Sequence, residues 1–205
     1  MGIALFAVLG YLLGSISFAV LVSRAFTLPD PRTYGSGNPG ATNVLRTGRK
    51  VAAALTLIGD GAKGWLAVAL AQHFAEPAVV PLAMAAAAAA AVIGHMYPLF
   101  HRFQGGKGVS TALGVLIGLN IYLAAGTAAT WIVMAVFFRI SSLAALVSAV
   151  FVPFFTLILY HAQHPFFWSV SLIAVLLVWR HKSNIGNLLA GRESRLGSGA
   201  AREND

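Results

Sequence analysis

The chain has 205 residues, 58% hydrophobic and 10% charged, with 14 Lys and Arg against 6 Asp and Glu for a formal net charge of +8. Soluble domains carry about 25% charged residues, so this composition, with a mean hydropathy of +0.78, excludes a disordered chain and a soluble nucleic-acid binder. It describes a multi-spanning membrane protein with basic loops, and the absence of cysteine excludes disulfides and thiolate chemistry.

A helix crosses the hydrocarbon core with about 20 apolar residues. Apolar stretches run, in order, over 3–28, 51–75, 77–100, 109–138, 141–160 and 165–179. The first has no basic residue ahead of it and no small-residue cleavage pattern, so it reads as a span and not a signal peptide. The 109–138 stretch is long for one helix, and Gly114, Gly118 and Asn120 predict a break near Asn120.

Charge decides the count. With seven spans, the loops at 29–50, 101–108 and Arg139 and the tail from Arg180 lie on one side and hold nearly all the Lys and Arg, while the opposite loops hold none. Basic loops stay in the cytoplasm. The expectation is therefore an all-α polytopic bundle of seven transmembrane helices, N-terminus outside and C-terminus cytoplasmic, forming one domain over 1–196. Residues 197–205 are expected to be a disordered cytoplasmic tail. The fourth span, 108–119, would rise only ~18 Å and so hold its glycine-rich start below the membrane surface. The Ala85–Ala91 run reads as a packing surface.

Polar chemistry concentrates in three cytoplasmic segments. The first, 35–46, reads GSGNPGATNVLR. Gly35, Gly37 and Gly40 permit sharp turns, Ser36, Asn38, Thr42 and Asn43 carry side-chain donors, and Arg46 offers a planar fork suited to phosphate. It reads equally as a tight turn leading into a helix N-cap. The second, 94–111, contains Gly105-Gly106-Lys107-Gly108 where the short fourth helix begins. Bare amides, a positive helix end and an ammonium suit an anion, above all a phosphate. It is not a Walker A loop, because Gly108 stands where Ser or Thr is required. His95, at the membrane edge, reads either as a packed histidine or as a site residue.

The third segment, 180–193, reads RHKSNIGNLLAGRE. Its basic residues, Arg180 included, are expected from topology alone. His181 and Asn184 share a face if the helix continues, and Glu193 is one of six acids. Inside the membrane, Asp60 and Lys63 are three apart, either a functional pair or a self-neutralising brace. His161 and His164 lack the further ligands a metal needs.

These blocks together resemble the bacterial acyl-phosphate-dependent glycerol-3-phosphate acyltransferases, the PlsY family. The resemblance runs in order through LGSISFAV, GSGNPGATNV, DGAKG, GHMYPLF, GGKGVST, HKSN and AGRE, with Ser110 where alanine is more usual. It implies transfer of an acyl group from acyl phosphate to the 1-hydroxyl of glycerol 3-phosphate, giving lysophosphatidic acid and inorganic phosphate. The site would face the cytoplasm from a bacterial inner membrane. Lys107 with the amides of Gly105, Gly106 and Gly108 would hold the donor phosphate. Ser36, Asn38, Thr42, Asn43, Arg46, His181 and Asn184 would orient the acceptor, with Gly35, Gly37, Gly40, His95, Thr111 and Glu193 also at the substrates. No histidine is followed by an aspartate five residues on, so the base of other glycerol-3-phosphate acyltransferases is missing. The substrate's own phosphate oxygen is expected to accept the proton. No metal, nucleotide, other cofactor or nucleic-acid partner is expected. The competing reading, a transporter using Asp60, Lys63 and His95 as an ion path, expects polar groups at mid-membrane instead of in cytoplasmic loops.

Overall fold

The computed structural model describes residues 2–196; the expected tail at 197–205 lies outside them. Among the described residues all regular structure is helical: α1 Ile3–Gly14, α2 Phe18–Ala25, α3 Ala41–Leu45, α4 Lys50–Phe74, α5 Val80–Met96, α6 Val109–Leu119, α7 Ile121–Phe138, α8 Ser141–Tyr160, α9 Pro165–Arg180 and α10 Lys182–Leu189. Five segments are long and apolar enough to cross a membrane: Ile3–Ala25, Lys50–Phe74, Pro77–His101, Ile121–Phe138 and Ser141–Tyr160. The shorter apolar helices are α6 and α9.

The 109–138 stretch does divide at Asn120. Its side-chain oxygen accepts from the amides of Tyr122 (2.8 Å) and Leu123 (3.3 Å), capping α7, and its Nδ2 donates to Tyr160 Oη at 2.7 Å. Asn serves well there because its oxygen replaces the carbonyl that α7's first turn lacks.

The first stretch differs from the continuous span expected of it. It is interrupted over 15–17, between α1 and α2. Distant groups take up the polar atoms of the break: Lys63 Nζ donates to Ile16 O at 2.5 Å, and Leu99 N donates to Ser15 Oγ at 3.2 Å. A broken backbone inside a bundle needs such partners.

α5 runs through the centre, packed by α1, α4, α6 and α9. Its small face carries the contact, with Ala83, Ala87, Ala88 and Ala91 fully buried. Gly10 of α1 lies so close that an added Cβ would stand 2.6 Å from Ala87 O, the close helix approach that small residues permit in membranes. Large apolar side chains point outward instead: Ile58, Phe137, Ile158 and Val175 are each at least 65% exposed. Water does not tolerate such a surface, and lipid does. This is an integral membrane bundle. The C-terminal ends of α5 and α9, the start of α6 and the loop before α4 meet at one end, and the polar segments meet there too.

Candidate active site

A cavity of about 1240 Å³ opens at that end of the bundle. Its mouth is polar, with Ser36, Thr42, Arg46, Lys107 and Asn184 among its walls, and its interior runs between α6, α7, α8 and α9 past Leu116, Trp131, Val152 and Val170.

In the first segment Gly35 and Gly37 take positive φ of 57° and 65° and turn the chain back toward α3. Asn43, 3% exposed, staples that turn. Its Nδ2 donates to Pro31 O (2.7 Å) and Tyr34 O (3.2 Å), and its Oδ1 accepts from Ser36 N (3.1 Å). These bonds order the loop, and Asn43 itself lies in the cavity wall. Ser36, Asn38, Gly40, Thr42 and Arg46 face the cavity. Gly35 and Gly37 shape the turn from outside it. Arg32 is taken up locally by a two-pronged pair with Asp30 (2.9 and 2.5 Å), which holds the Asp30 carboxyl down at about 2.

The glycine tract is built differently. Gly105 and Gly106 are buried against the end of α5. Gly106 N donates to His95 O at 3.1 Å, so this amide already has a protein partner. The carbonyls of Gly105 and Gly106 accept from Arg180, at 2.7 Å and at 3.1 and 3.2 Å respectively. Gly108, with φ of 86°, caps α6 in a left-handed conformation that glycine adopts freely. Among the described residues, the amides of Gly105, Lys107, Gly108 and Val109 have no protein partner.

His95 grips the tract from beneath. Beyond its carbonyl, its Nδ1 lies 3.1 Å from Thr111 Oγ1 and 3.6 Å from Asp60 Oδ1. Thr111, fully buried, turns its hydroxyl to His95, which lines the cavity, and is not itself in the cavity wall. Asp60 and Lys63 form a buried pair at 2.7 Å. Together with the Ile16 and His95 contacts, the pair braces the helix break to α4 and α5.

The C-terminal segment completes the mouth. Lys107 Nζ donates to Asn184 Oδ1 (2.5 Å), and Asn184 Nδ2 donates to Glu193 Oε1 (2.6 Å), which also accepts from Ser142 Oγ (2.7 Å). Glu193 therefore fixes Asn184 and also lines the cavity. Arg46 Nη2 reaches Ser194 Oγ at 2.9 Å. Burial pushes the Lys107 ammonium below its ordinary pKa; Glu193 opposes this, and Arg46 and Arg180 add to it. His181 Nδ1 lies 2.7 Å from Leu177 O. A carbonyl only accepts, so Nδ1 carries the proton and Nε2 is a bare acceptor. Burial, the largest cause, pushes the His181 pKa down to about 4.

The sequence model of the family described as glycerol-3-phosphate acyltransferase matches residues 4–191. The chain belongs to that family. Glycerol-3-phosphate acyltransferases from two bacteria illustrate the likeness. The protein of Burkholderia ambifaria is 59% identical over 198 residues, covering 96% of this chain and 92% of its own. That of Ralstonia pickettii is 60% identical over 197 residues, covering 94% and 93%. A crystal structure of PlsY (YgiH), an integral membrane glycerol 3-phosphate acyltransferase in its glycerol 3-phosphate form, superposes with a TM-score of 0.87 at 34% identity over 95% of this chain and 96% of that one. Its lysophosphatidic acid form gives 0.85. The protein is thus a glycerol-3-phosphate acyltransferase, and the PlsY resemblance drawn from its motifs holds. Within this acyltransferase, sequence reasoning passed over Ser142, Ser194 and Arg180. The two serines sit in unremarkable contexts, whereas Arg180 adjoins His181, a signal that was present.

Proposed function

We propose that this acyltransferase moves an acyl group from acyl phosphate to the 1-hydroxyl of sn-glycerol 3-phosphate, releasing lysophosphatidic acid and inorganic phosphate. One observation carries the reading: a single cavity joins Lys107 and the open amides at the start of α6 to an apolar interior between α6 and α9. That combination suits a phosphate joined to a fatty chain. Arg46, Ser36, Asn38 and Thr42 approach from the first loop and suit the phosphate and hydroxyls of the acceptor.

The hydroxyl oxygen attacks the acyl carbonyl carbon, the bond from that carbon to the bridging phosphate oxygen breaks, and phosphate departs with the electron pair. Lys107 and the neighbouring amides stabilise the charge that builds on the leaving oxygen. The hydroxyl proton passes to a phosphate oxygen. With its pKa near 4, His181 holds a proton poorly at neutral pH, so its Nε2 orients the hydroxyl as an acceptor instead of removing the proton.

The same reading includes seven spans, with α6 and α9 the short ones, in the bacterial inner membrane with the site toward the cytoplasm. All Lys and Arg residues except Arg24 and Lys63 then fall in cytoplasmic segments. No cysteine is native to the chain, so Thr33→Cys should label only from the cytoplasm and Ala78→Cys only from outside; the reverse pattern overturns the orientation.

The activity is tested with purified protein, acyl phosphate and glycerol 3-phosphate, following phosphate release and lysophosphatidic acid. Wild type should turn over, and Lys107→Ala should lose about 10²–10³-fold in kcat/KM. Absence of product with wild type, or an unaffected Lys107→Ala, sinks the assignment.

A further inference from the structure

One face of α8 borders the cavity for about three turns. Ser141, Ser142, Ala145, Ser148, Ala149 and Val152 line it, at the spacing of three and four that marks one side of a helix. The face starts at the mouth, where Ser142 donates to Glu193, and ends at Val152, about 15 Å deeper at 1.5 Å per residue. One turn further from the mouth the lining stops on all four helices. Leu119 of α6, Leu123 of α7, Phe155 and Thr156 of α8 and Phe166 of α9 are not in the cavity wall. Leu119, Leu123 and Phe166 are buried in the same core cluster as Val152 and Val170, and Phe155 packs against it. Thr156, fully buried, returns its hydroxyl to Val152 O at 2.9 Å. The interior therefore ends blind, on an apolar floor.

A blind apolar pocket reads the length of what enters it. Lipid is as apolar as the pocket, so the pocket selects by fit: a chain that stops short leaves a void, and one that is too long must bend or displace its neighbours. An extended chain of single bonds advances about 1.2 Å per bond, as extended backbone does over its three bonds per residue, so a depth of about 15 Å takes roughly twelve bonds. Ala149 lies one turn short of Val152 on the same face. Its methyl group leaves the way to the floor open. A large side chain there would end the pocket about 4.5 Å sooner, the length of roughly four bonds.

We infer that α8 carries the chain-length determinant of this acyltransferase: Ala149, by staying small, lets the acyl chain reach a floor at Val152, and the size of the side chain at 149 sets how long a chain fits. The inference rests on the reading that the acyl chain lies in the cavity interior, and it is independent of which loop holds either phosphate. Ala149 and Val152 would meet the far end of the chain and no reacting atom, so they act on choice of donor and not on the transfer step. A chain that left sideways past Ile132, which borders the cavity and is 55% exposed, would not feel position 149.

The experiment measures kcat/KM in detergent for lauroyl, myristoyl, palmitoyl and stearoyl phosphate at saturating glycerol 3-phosphate, for wild type, Ala149→Phe, Ala149→Leu and Val152→Ala. The readout is the ratio of the lauroyl to the palmitoyl value, in which the yield of folded enzyme cancels. Ala149→Phe should raise that ratio about tenfold over wild type, the scale on which a hydrophobic pocket discriminates by size. Ala149→Leu should raise it less, and Val152→Ala, which deepens the floor, should lower it. A ratio within twofold of wild type in Ala149→Phe overturns the inference, as does an equal loss on all four donors, which marks general damage. Where Ala149→Phe does not accumulate folded, Ala149→Leu is judged by the same ratio, a severalfold rise supporting the inference and an unchanged one overturning it. No turnover of any acyl phosphate by wild type removes the proposed reaction and the inference together. Turnover by wild type beside an unchanged ratio in the variants removes the role of α8 alone.

Discussion

The two glycine-rich segments look alike in the sequence and behave as opposites in the fold. The loop at 35–46 is held from within by one side chain, Asn43, and presents Ser36, Thr42 and Arg46 at the exposed mouth. The tract at 105–108 is held from outside, by His95 of α5 and Arg180 of α9, with its glycines buried. Glycine content alone does not distinguish a loop that offers side chains from one that offers its backbone. The difference lies in who holds the peptide groups. A tract whose peptide groups are anchored by two other helices, its carbonyls by α9 and the Gly106 N–H by α5, has a fixed set of amides. A loop stapled locally owes its shape to its own residues.

The tract should therefore be the less forgiving of the two. In Gly106→Ala the new methyl would run into the His95 ring and stand 2.8 Å from Pro39 O. The tract must shift, and a displacement of about 1 Å at a reacting group costs about 10²-fold. We expect a loss of that order in kcat/KM, measured as phosphate release; near-normal turnover would remove the claim of rigidity. Asn43→Ala strips the staple from the first loop. Three hydrogen bonds to backbone go, at a cost of about 1–3 kcal/mol in stability, and the acceptor KM should rise about tenfold with the donor KM nearly unchanged. Equal effects on both substrates would mean the two loops are not independent. Gly40→Ala should do least. Gly40 has an extended backbone, φ of −163°, and a Cβ there meets nothing closer than Asn38 Nδ2 at 3.4 Å. Its kcat/KM should stay within about threefold of wild type, with a stability loss of under about 1 kcal/mol from a poorer N-cap.

The sequence showed the helical bundle, the break at Asn120 and the three polar blocks, because apolar run length, an Asn with capping chemistry and clustered glycines are all local signals. The break at 15–17 was not legible, since the groups that sustain it, Lys63 and the Leu99 amide, come from other helices. Within the site, residue type indicated the right segments and left the direction of each side chain open. Asn43 and Thr111 have the chemistry to touch a substrate, yet in the fold they turn to Pro31 and His95. Arg180 was credited to orientation because a basic residue after a last span already has an explanation. Asp60 and Lys63 stood between two readings until Ile16 and His95 appeared beside them as partners.

Leu196 exchanges hydrogen bonds with Arg139, its N–H donating to Arg139 O at 2.6 Å and its carbonyl accepting from Arg139 Nη2 at 3.3 Å. This draws the 192–196 segment back across the mouth, where Glu193 and Ser194 meet Asn184 and Arg46. In biosynthetic time, these residues leave the ribosome after every described helix of the bundle. A chain stalled just short of Glu193 would have all the described helices and lack the segment that is drawn across the mouth.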